Sequence, residues 1–404
     1  MHILYIHQYF KTPNESAATR SFWFAKKLVA EGHKVTMLTS TNNKLHKEPQ
    51  RLFIEGIEVI YIKNEYNQSM TKLQKVYSFV RFFLLSIAKS YSIKNIDLVF
   101  ATSTPLTVGA IALYLRQFRR LNYIFEVRDL WPEFPIQIGA IRNSWLIAIL
   151  RKLEKKIYKK ASHIIALSPG MKNGVLECGI NEDKITMIPN MSKPDLFYPR
   201  EKNKKTLEKY TIDTNKLNIV HFGSMGVANG LEYLIDTAKH LKRNKNICFY
   251  LVGDGATLPL LKNKVKEYNL ENVFFPGNMD IYEMSDFVNC CDLSVVNFKY
   301  LAILYTNSPN KLFDSLSAGK VVVVNSAGWT KDLVENYNCG FYVNPNESRD
   351  FASKLEIIDK HATSFIEMGE NARRISIDIY DKKILSKQFV KVVEQVFHNV
   401  NKIS

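Results

Sequence analysis

The chain has 404 residues, 46% of them apolar and 23% charged, enough to build two cores of ordinary size and unlike a disordered or collagen-like composition. Its five cysteines (Cys178, Cys248, Cys290, Cys291, Cys339) show no C-x-x-C spacing, so neither a zinc site nor a disulfide scaffold is expected, and a reducing compartment is. The net charge of +16 is uneven: residues 1–200 hold 29 Lys and Arg against 15 Asp and Glu, leaving 26 against 24 for the remainder, so the first half suits an anionic surface, phospholipid or nucleic acid.

The opening MHILYIHQYF reads as an apolar strand over Ile3–Ile6 without the basic flank or cleavage site of a signal peptide, so a cytoplasmic protein is expected. No apolar run reaches the ~18 residues a membrane span needs. The best candidates, Val76–Ala88 and Trp145–Leu153, are short and broken by Arg81 and Arg151. A polar loop, His7–Ser16, leads into a helix with Ala17, Phe24, Leu28 and Val29 on one side, and Glu31-Gly32-His33 turns into a strand at Lys34–Leu38. Further strands fall at Ile57–Ile62, Leu98–Thr102, Tyr123–Val127 and His163–Leu167, each short and apolar throughout, as buried parallel strands are.

Beyond the Tyr123–Val127 strand, the run Glu126 to Glu133 (EVRDLWPE) gathers four charged residues around a tryptophan and a proline. A solvated loop is the plain reading. The position favours function, because open α/β sheets bind ligands beyond the carboxyl ends of their strands. Arg128 suits negative charge developing on a leaving phosphate, and Asp129 suits holding that group in place or binding acceptor hydroxyls. Asn143–Ser162 is amphipathic, with Lys152, Lys155, Lys156, Lys159 and Lys160 clustered and Trp145 at one end. Together with the basic, aromatic-rich Lys72–Lys89, it suits a membrane surface or an ordinary half-buried helix.

Pro189–Asn215, with three prolines and a lysine-rich run, reads as a linker. It separates a first domain, 1–195, completed by a C-terminal helix from about 382 to 404, from a second, 196–381. The second series runs through strand Leu217–Phe222, loop Gly223–Gly230, helix Leu231–Lys242, strand Ile247–Val252, the Gly253-Asp254-Gly255 turn, helix Leu258–Tyr268, strand Val273–Phe275, helix Ile281–Cys290 and strand Leu293–Val296. GSMGVANG at Gly223–Gly230 lies between a strand and a helix, where glycines let backbone approach a phosphate, although it lacks both the Walker Lys-Ser/Thr and the G-x-G-x-x-G spacing. A tight turn is the alternative.

Tyr305–Val324, YTNSPNKLFDSLSAGKVVVV, reads as a polar loop and a short helix with Ser308 or Asn307 as N-cap and Pro309 in its first turn, ended by Ala-Gly and followed by a strand at Lys320–Val324. Free N–H groups and the positive dipole end at such a start stabilise a diphosphate. Lys311 adds a full charge, and Asp314, one turn on, suits the vicinal hydroxyls of a ribose. A capped helix with solvated charges is the alternative. No D-x-D pair stands near a strand end of the second domain, so no metal clamp is expected.

These residues resemble those of a bacterial glycosyltransferase of the two-Rossmann GT-B type, in the retaining family four and nearest its WbuB-like branch of O-antigen and capsule enzymes. The likeness rests on ILYIHQYF, ATRSFWFAKKLVAEGHKVTMLTS, ATSTPLTVGAIAL, FEVRDLWPE, FGSMGVANGLEYLI and SPNKLFDSLSAGKVVVV. It implies an α/β GT-B fold, two doubly wound Rossmann-like domains facing a cleft. It also implies transfer of a sugar from a UDP-sugar donor with retention of configuration, by front-side attack, with no metal or other cofactor. By that resemblance the nucleotide-sugar site comprises Gly223, Ser224, Asn229, Pro276, Gly277, Asn278, Met279, Thr306, Ser308, Pro309, Asn310, Lys311 and Asp314. Pro276–Met279 would cradle the base, and Asp314 would take the ribose-binding role of the family's second motif glutamate.

The resemblance further implies Arg128 and Asp129 as catalytic residues and an acceptor-side loop of His7, Gln8, Ser16 and Arg20. The chain departs from the pattern in four places. Thr306 stands for the first motif glutamate; Val227 and Asn229 replace an Arg/Lys pair, throwing phosphate binding onto Lys311; Glu15-Ser16 replaces a double glycine. Arg128 replaces a histidine that contacts the donor sugar's 6-hydroxyl, which points to a 6-deoxy donor such as N-acetylfucosamine or N-acetylquinovosamine. The branch's acceptor, a polyprenyl-diphosphate-linked saccharide, fits a basic half lying peripherally on the anionic inner leaflet, with no nucleic acid as partner. Two other readings are a UDP-sugar epimerase of the same fold and a basic nucleic-acid-binding protein, for which no recognised module stands in the sequence.

Overall fold

The computed structural model describes residues 1–13, 19–41, 50–67 and 70–403. The chain forms two compact α/β units, one running to Pro189 and rejoined by the chain from Lys383, the other from Asn190 to Lys382.

The first unit is an eight-stranded sheet: β1 (His2–Ile6), β2 (Lys34–Thr41), β3 (Gln50–Ile54), β4 (Ile57–Lys63), β5 (Leu98–Thr102), β6 (Tyr123–Val127), β7 (His163–Ala166) and β8 (Ile185–Met187). Their order is β3-β4-β2-β1-β5-β6-β7-β8, and every pairing is parallel except β3 with β4. β1, β5 and β6 are buried at every position, which is why they read as largely apolar runs, interrupted only by His2, Thr102 and Glu126. The edge strand β3 and the three-residue β8 were not foreseen. β3 is joined to β4 by Glu55-Gly56, both with positive φ, the conformation a two-residue hairpin turn requires.

The final helix, Lys382–Ile403, belongs to this unit for most of its length: the Phe389 ring stacks on Phe24 at 4.0 Å and meets Phe100 edge-on at 4.9 Å. The helix Lys72–Tyr91 starts with a Thr71/Gln74 capping box, and Ser144–Lys160 starts from Asn143, whose side chain accepts from Leu146 N. Among the described residues no helix is long and apolar enough to cross a membrane.

The second unit has six parallel strands, β9 (Leu217–Phe222), β10 (Ile247–Val252), β11 (Val273–Gly277), β12 (Leu293–Val296), β13 (Val321–Val324) and β14 (Gly340–Tyr342). Their order, β11-β10-β9-β12-β13-β14, is the 3-2-1-4-5-6 winding of dinucleotide-binding folds. The order reverses between β9 and β12, and in the first unit between β1 and β5, so ligand crevices are expected beyond the carboxyl ends of those strand pairs.

Two boundaries differ from the sequence reading. Residues 190–195 belong to the second unit, because Asn190 N donates to Ser308 Oγ (3.2 Å) and Lys193 N to Ser317 Oγ (3.1 Å). Within the expected linker, Lys204–Tyr210 is a helix capped by Asn203, and its Leu207 and Tyr210 pack on the second unit's core.

Candidate functional site

In the first unit three strand ends bring functional side chains together. His7 follows β1, Ser103 and Thr104 follow β5, and Arg128 and Asp129 follow β6. The Arg128 guanidinium lies 3.2 Å from His7 Nε2. A guanidinium only donates, so Nε2 is the acceptor and the imidazole is neutral with its proton on Nδ1. Burial, reinforced by the Arg128 charge, holds the His7 pKa well below the ordinary histidine value. Arg128 N donates to Ser103 Oγ (2.9 Å) and Thr104 Oγ1 to Asp129 Oδ2 (2.9 Å), while burial raises the Asp129 carboxyl above its usual range against the pull of Thr104 and Arg128. The arrangement presents one cation, one buried carboxylate and one neutral imidazole at the sheet's carboxyl edge.

The acceptor-side expectations fare differently. Gln8 is fully buried, and among the described residues its amide has no hydrogen-bond partner. Ser16 lies outside the described residues. Arg20 needs correction: its side chain is wholly buried, Nε donates to Glu126 Oε1 (2.8 Å), one terminal nitrogen donates to Ile188 O (2.8 Å) and the other to Pro189 O. Its donors are therefore turned into the core of the unit, and it is a structural ion-pair partner.

In the second unit the residues foreseen for a nucleotide sugar gather along the carboxyl edge of the sheet. Gly223–Gly230 follows β9, Gly253–Gly255 follows β10, Pro276–Met279 spans the end of β11, and helix Asn310–Ser317 precedes β13. Gly223 has φ +109° and Gly253 φ +129°. The loops are laced by Gly223 N to Val252 O (2.9 Å), Met225 N to Asp254 O (2.8 Å) and Gly253 N to Gly277 O (2.9 Å). A Cβ on Gly253 would sit 2.0 Å from Gly223 O, so the Gly-Asp-Gly turn is glycine because two backbones touch there. Gly253→Ala should lower the melting temperature, at a cost of about 1–3 kcal/mol for the strained φ before any clash is relieved. A thermal scan checks this, and an unchanged midpoint would contradict the close approach.

Lys311 reaches into this loop. Its Nζ lies 3.0 Å from His221 Nε2 and 3.4 Å from Asn229 Oδ1, and burial pushes its pKa down to about 7. Asn229 Nδ2 also donates to Ser224 O (2.8 Å), and Asn297 Nδ2 donates to the carbonyls of Asn229 (2.7 Å) and Gly230 (2.9 Å), fixing the loop's shape.

The helix start differs from expectation. The cap is Pro309, which offers no side-chain bond, and Ser308 is turned instead to Asn190, accepting from its N–H and, through its carbonyl, from Nδ2. The strand that follows begins at Val321, since Lys320 N still bonds back to Ser315 O (3.1 Å) in the turn that ends the helix, while its Nζ donates to the Asn289 (2.8 Å) and Cys291 (2.7 Å) carbonyls. Thr306 ends a short 3-10 turn, its hydroxyl donating to Ile303 O (2.7 Å). Asp314 is buried and paired with Lys193, Nζ to Oδ1 3.0 Å and to Oδ2 3.3 Å. The carboxylate foreseen for ribose hydroxyls thus already holds a lysine.

His221, Lys193, Asn297, Ser103 and Thr104 were not singled out from the sequence. A histidine and an asparagine inside or just beyond apolar strands were the available signals, since buried polar residues there need a partner.

Known proteins match in the same order. A model described as Glycosyltransferase Family 4 matches residues 18–195, and one described as Glycosyl transferases group 1 matches 216–358, together about four-fifths of the chain. An uncharacterized glycosyltransferase of Methanocaldococcus jannaschii is 24% identical over 61% of this chain and 62% of its own length. The probable glycosyltransferase WbjE of Pseudomonas aeruginosa is 20% identical over 77% of this chain and 78% of its own. The chain therefore spans less than two thirds of the first relative. Among solved structures, sucrose-phosphate synthase from Thermosynechococcus elongatus has a TM-score of 0.80 at 17% identity, covering 98% of this chain and 99% of that one. Anabaena HepE in complex with UDP has a TM-score of 0.73 at 16% identity, covering 98% and 100%. With both family models matched in sequence order and the two-unit fold shared along its length, the chain belongs to the glycosyltransferase family 4 and group 1 type and has the GT-B fold.

Proposed function

We propose that the chain transfers a sugar, with retention of configuration, from a UDP-sugar to a polyprenyl-diphosphate-linked saccharide during synthesis of a surface polysaccharide. The observation that carries the donor reading is Lys311 at the Gly223–Gly230 loop, beside the switch point of the second sheet, with two neutral side-chain partners that leave its ammonium charge for a diphosphate. HepE was solved with UDP, with UDP and glucose, and with UDP-glucose, which supports a nucleotide sugar. The 24% identical WcaI of Escherichia coli is described as a putative colanic acid biosynthesis glycosyl transferase, which supports a polysaccharide product.

In this reading Lys311 and the first amides of helix Asn310–Ser317 neutralise the diphosphate without a metal, and Arg128 stabilises the leaving phosphate while Asp129 orients the acceptor. Replacement of the family's histidine by Arg128 supports a 6-deoxy-N-acetylhexosamine donor of the N-acetylfucosamine kind, as in the WbuB-like branch. On helix Lys72–Tyr91, Leu73, Val76, Tyr77, Val80 and Leu84 form an exposed apolar stripe with Lys75 and Arg81 on the same helix, and Trp145 is 74% exposed on Ser144–Lys160. These faces support peripheral docking on an anionic leaflet from the cytoplasmic side.

A mass-spectrometric screen of UDP-sugars, with and without a lipid-linked acceptor and with chelator, tests the proposal. UDP release that needs acceptor and survives chelation is expected. Isomerisation of the sugar without acceptor would instead mark an epimerase, and loss of activity with chelator would refute the metal-free reading. Arg128→Ala should lower kcat more than it raises the donor KM, as for an interaction made in the transition state, and unchanged turnover would remove that role.

A further inference from the structure

We propose that His221 is a positioning residue of the donor site: its neutral imidazole accepts a hydrogen bond from Lys311 and fixes that ammonium beside the Gly223 turn, where a diphosphate would lie. The inference rests on the UDP-sugar reading given above.

His221 lies near the carboxyl end of β9, at the switch point, and is 1% exposed. Its Nδ1 is 3.1 Å from the carbonyl of Val295 on β12. A carbonyl only accepts, so Nδ1 carries the proton and Nε2 keeps a lone pair. That lone pair faces Lys311 Nζ at 3.0 Å. An imidazolium would set two donors and two positive charges against each other in a buried space, and both burial and the Lys311 charge hold the ring neutral.

The arrangement matters because a lysine is a point charge on a flexible four-carbon stem with three donors. His221 takes one and Asn229 Oδ1, at 3.4 Å, a second, which leaves the third for a ligand oxygen. Both partners are neutral. They orient the ammonium without cancelling its charge, whereas a carboxylate at either place would do both, as Asp314 does for Lys193. A Cβ at Gly223 would come 3.9 Å from the same Nζ, so the absent side chain there leaves the approach open.

Calorimetric titration of the full chain with UDP, compared among the unaltered protein, His221→Leu, His221→Gln and Lys311→Ala, tests this. Leucine should weaken UDP binding by about tenfold, the scale of one lost hydrogen bond to a charged group, and glutamine, which still offers an acceptor, should restore most of it. Rescue by glutamine would not follow if the ring merely filled space. Should the leucine variant not fold, 15N NMR of the unaltered protein still decides: an Nδ1-protonated neutral imidazole at pH 7 is expected, and an Nε2–H tautomer or an imidazolium overturns the inference. If Lys311→Ala weakens UDP binding and a folded His221→Leu does not, this inference alone fails. If the unaltered protein does not bind UDP, the donor reading fails and takes the inference with it.

Discussion

Replacing Arg20 with alanine should cost the first unit about 3–5 kcal/mol, the measured range for removing one member of a buried ion pair. Arg20 and Glu126 are fully buried and 2.8 Å apart. The guanidinium also satisfies the carbonyls of Ile188 and Pro189, the last residues before the chain leaves this unit. Glu126 accepts in addition from Thr102 Oγ1 at the end of β5, so the pair joins the helix Arg20–Ala30 to two central strands. Alanine leaves Glu126 with one partner and an uncompensated charge in a low-dielectric core. Denaturant unfolding checks this, and the double variant Arg20→Met, Glu126→Leu should recover most of the loss, because the cost comes from the orphaned charge rather than from the missing bond. A single variant within about 1 kcal/mol of the parent, the range of exposed pairs, would contradict the burial described here.

Lys311→Ala should weaken UDP-sugar binding by about 1.5–3 kcal/mol, the worth of a charge-assisted hydrogen bond. By calorimetry that is a factor of roughly 10 to 150 in Kd. The same lysine sets a pH dependence whose sign follows from its environment. Burial pulls its pKa from 10.5 to about 7 in the unbound protein, with the neutral His221 ring facing it. The diphosphate of a nucleotide sugar stays ionised across neutral pH and favours the protonated lysine. Binding should therefore take up a proton, and affinity should fall as pH rises above about 7. Titrations in buffers of different ionisation enthalpy report the uptake directly. Lys311→Ala should abolish it, and a buffer-independent enthalpy in the unaltered protein would refute the mechanism. Stability runs the other way. The folded pKa lies below the unfolded one, so the folded state holds fewer protons, and the penalty for burying the charged lysine, complete below about pH 7, is relieved as pH climbs toward 10.5.

The parallel strands were legible because a strand buried on both faces is apolar at most positions, and that signal is local: HILYI, YIFEV and LNIVHF declare themselves within five or six residues despite the buried His2, Glu126, Asn218 and His221 they carry. The same holds for the glycine turns and for the basic bias of the first half. β3 escaped because an edge strand is only half-buried, so its composition carries no such signal. The carboxyl-edge positions of Arg128, Asp129, Lys311 and the Gly223–Gly230 loop followed from the winding rule once the strands were known.

Which charged group would meet which lay beyond the reach of the sequence. Arg20 looked like a loop residue and is tied to Glu126, 106 positions away; Asp314 looked like a ribose binder and holds Lys193 at a separation of 121; Lys311 finds His221 across 90. Composition and periodicity are properties of neighbouring residues and determine where chain is buried. A buried charge takes whatever partner the packed sheets bring within about 3 Å, and only the tertiary structure decides that pairing.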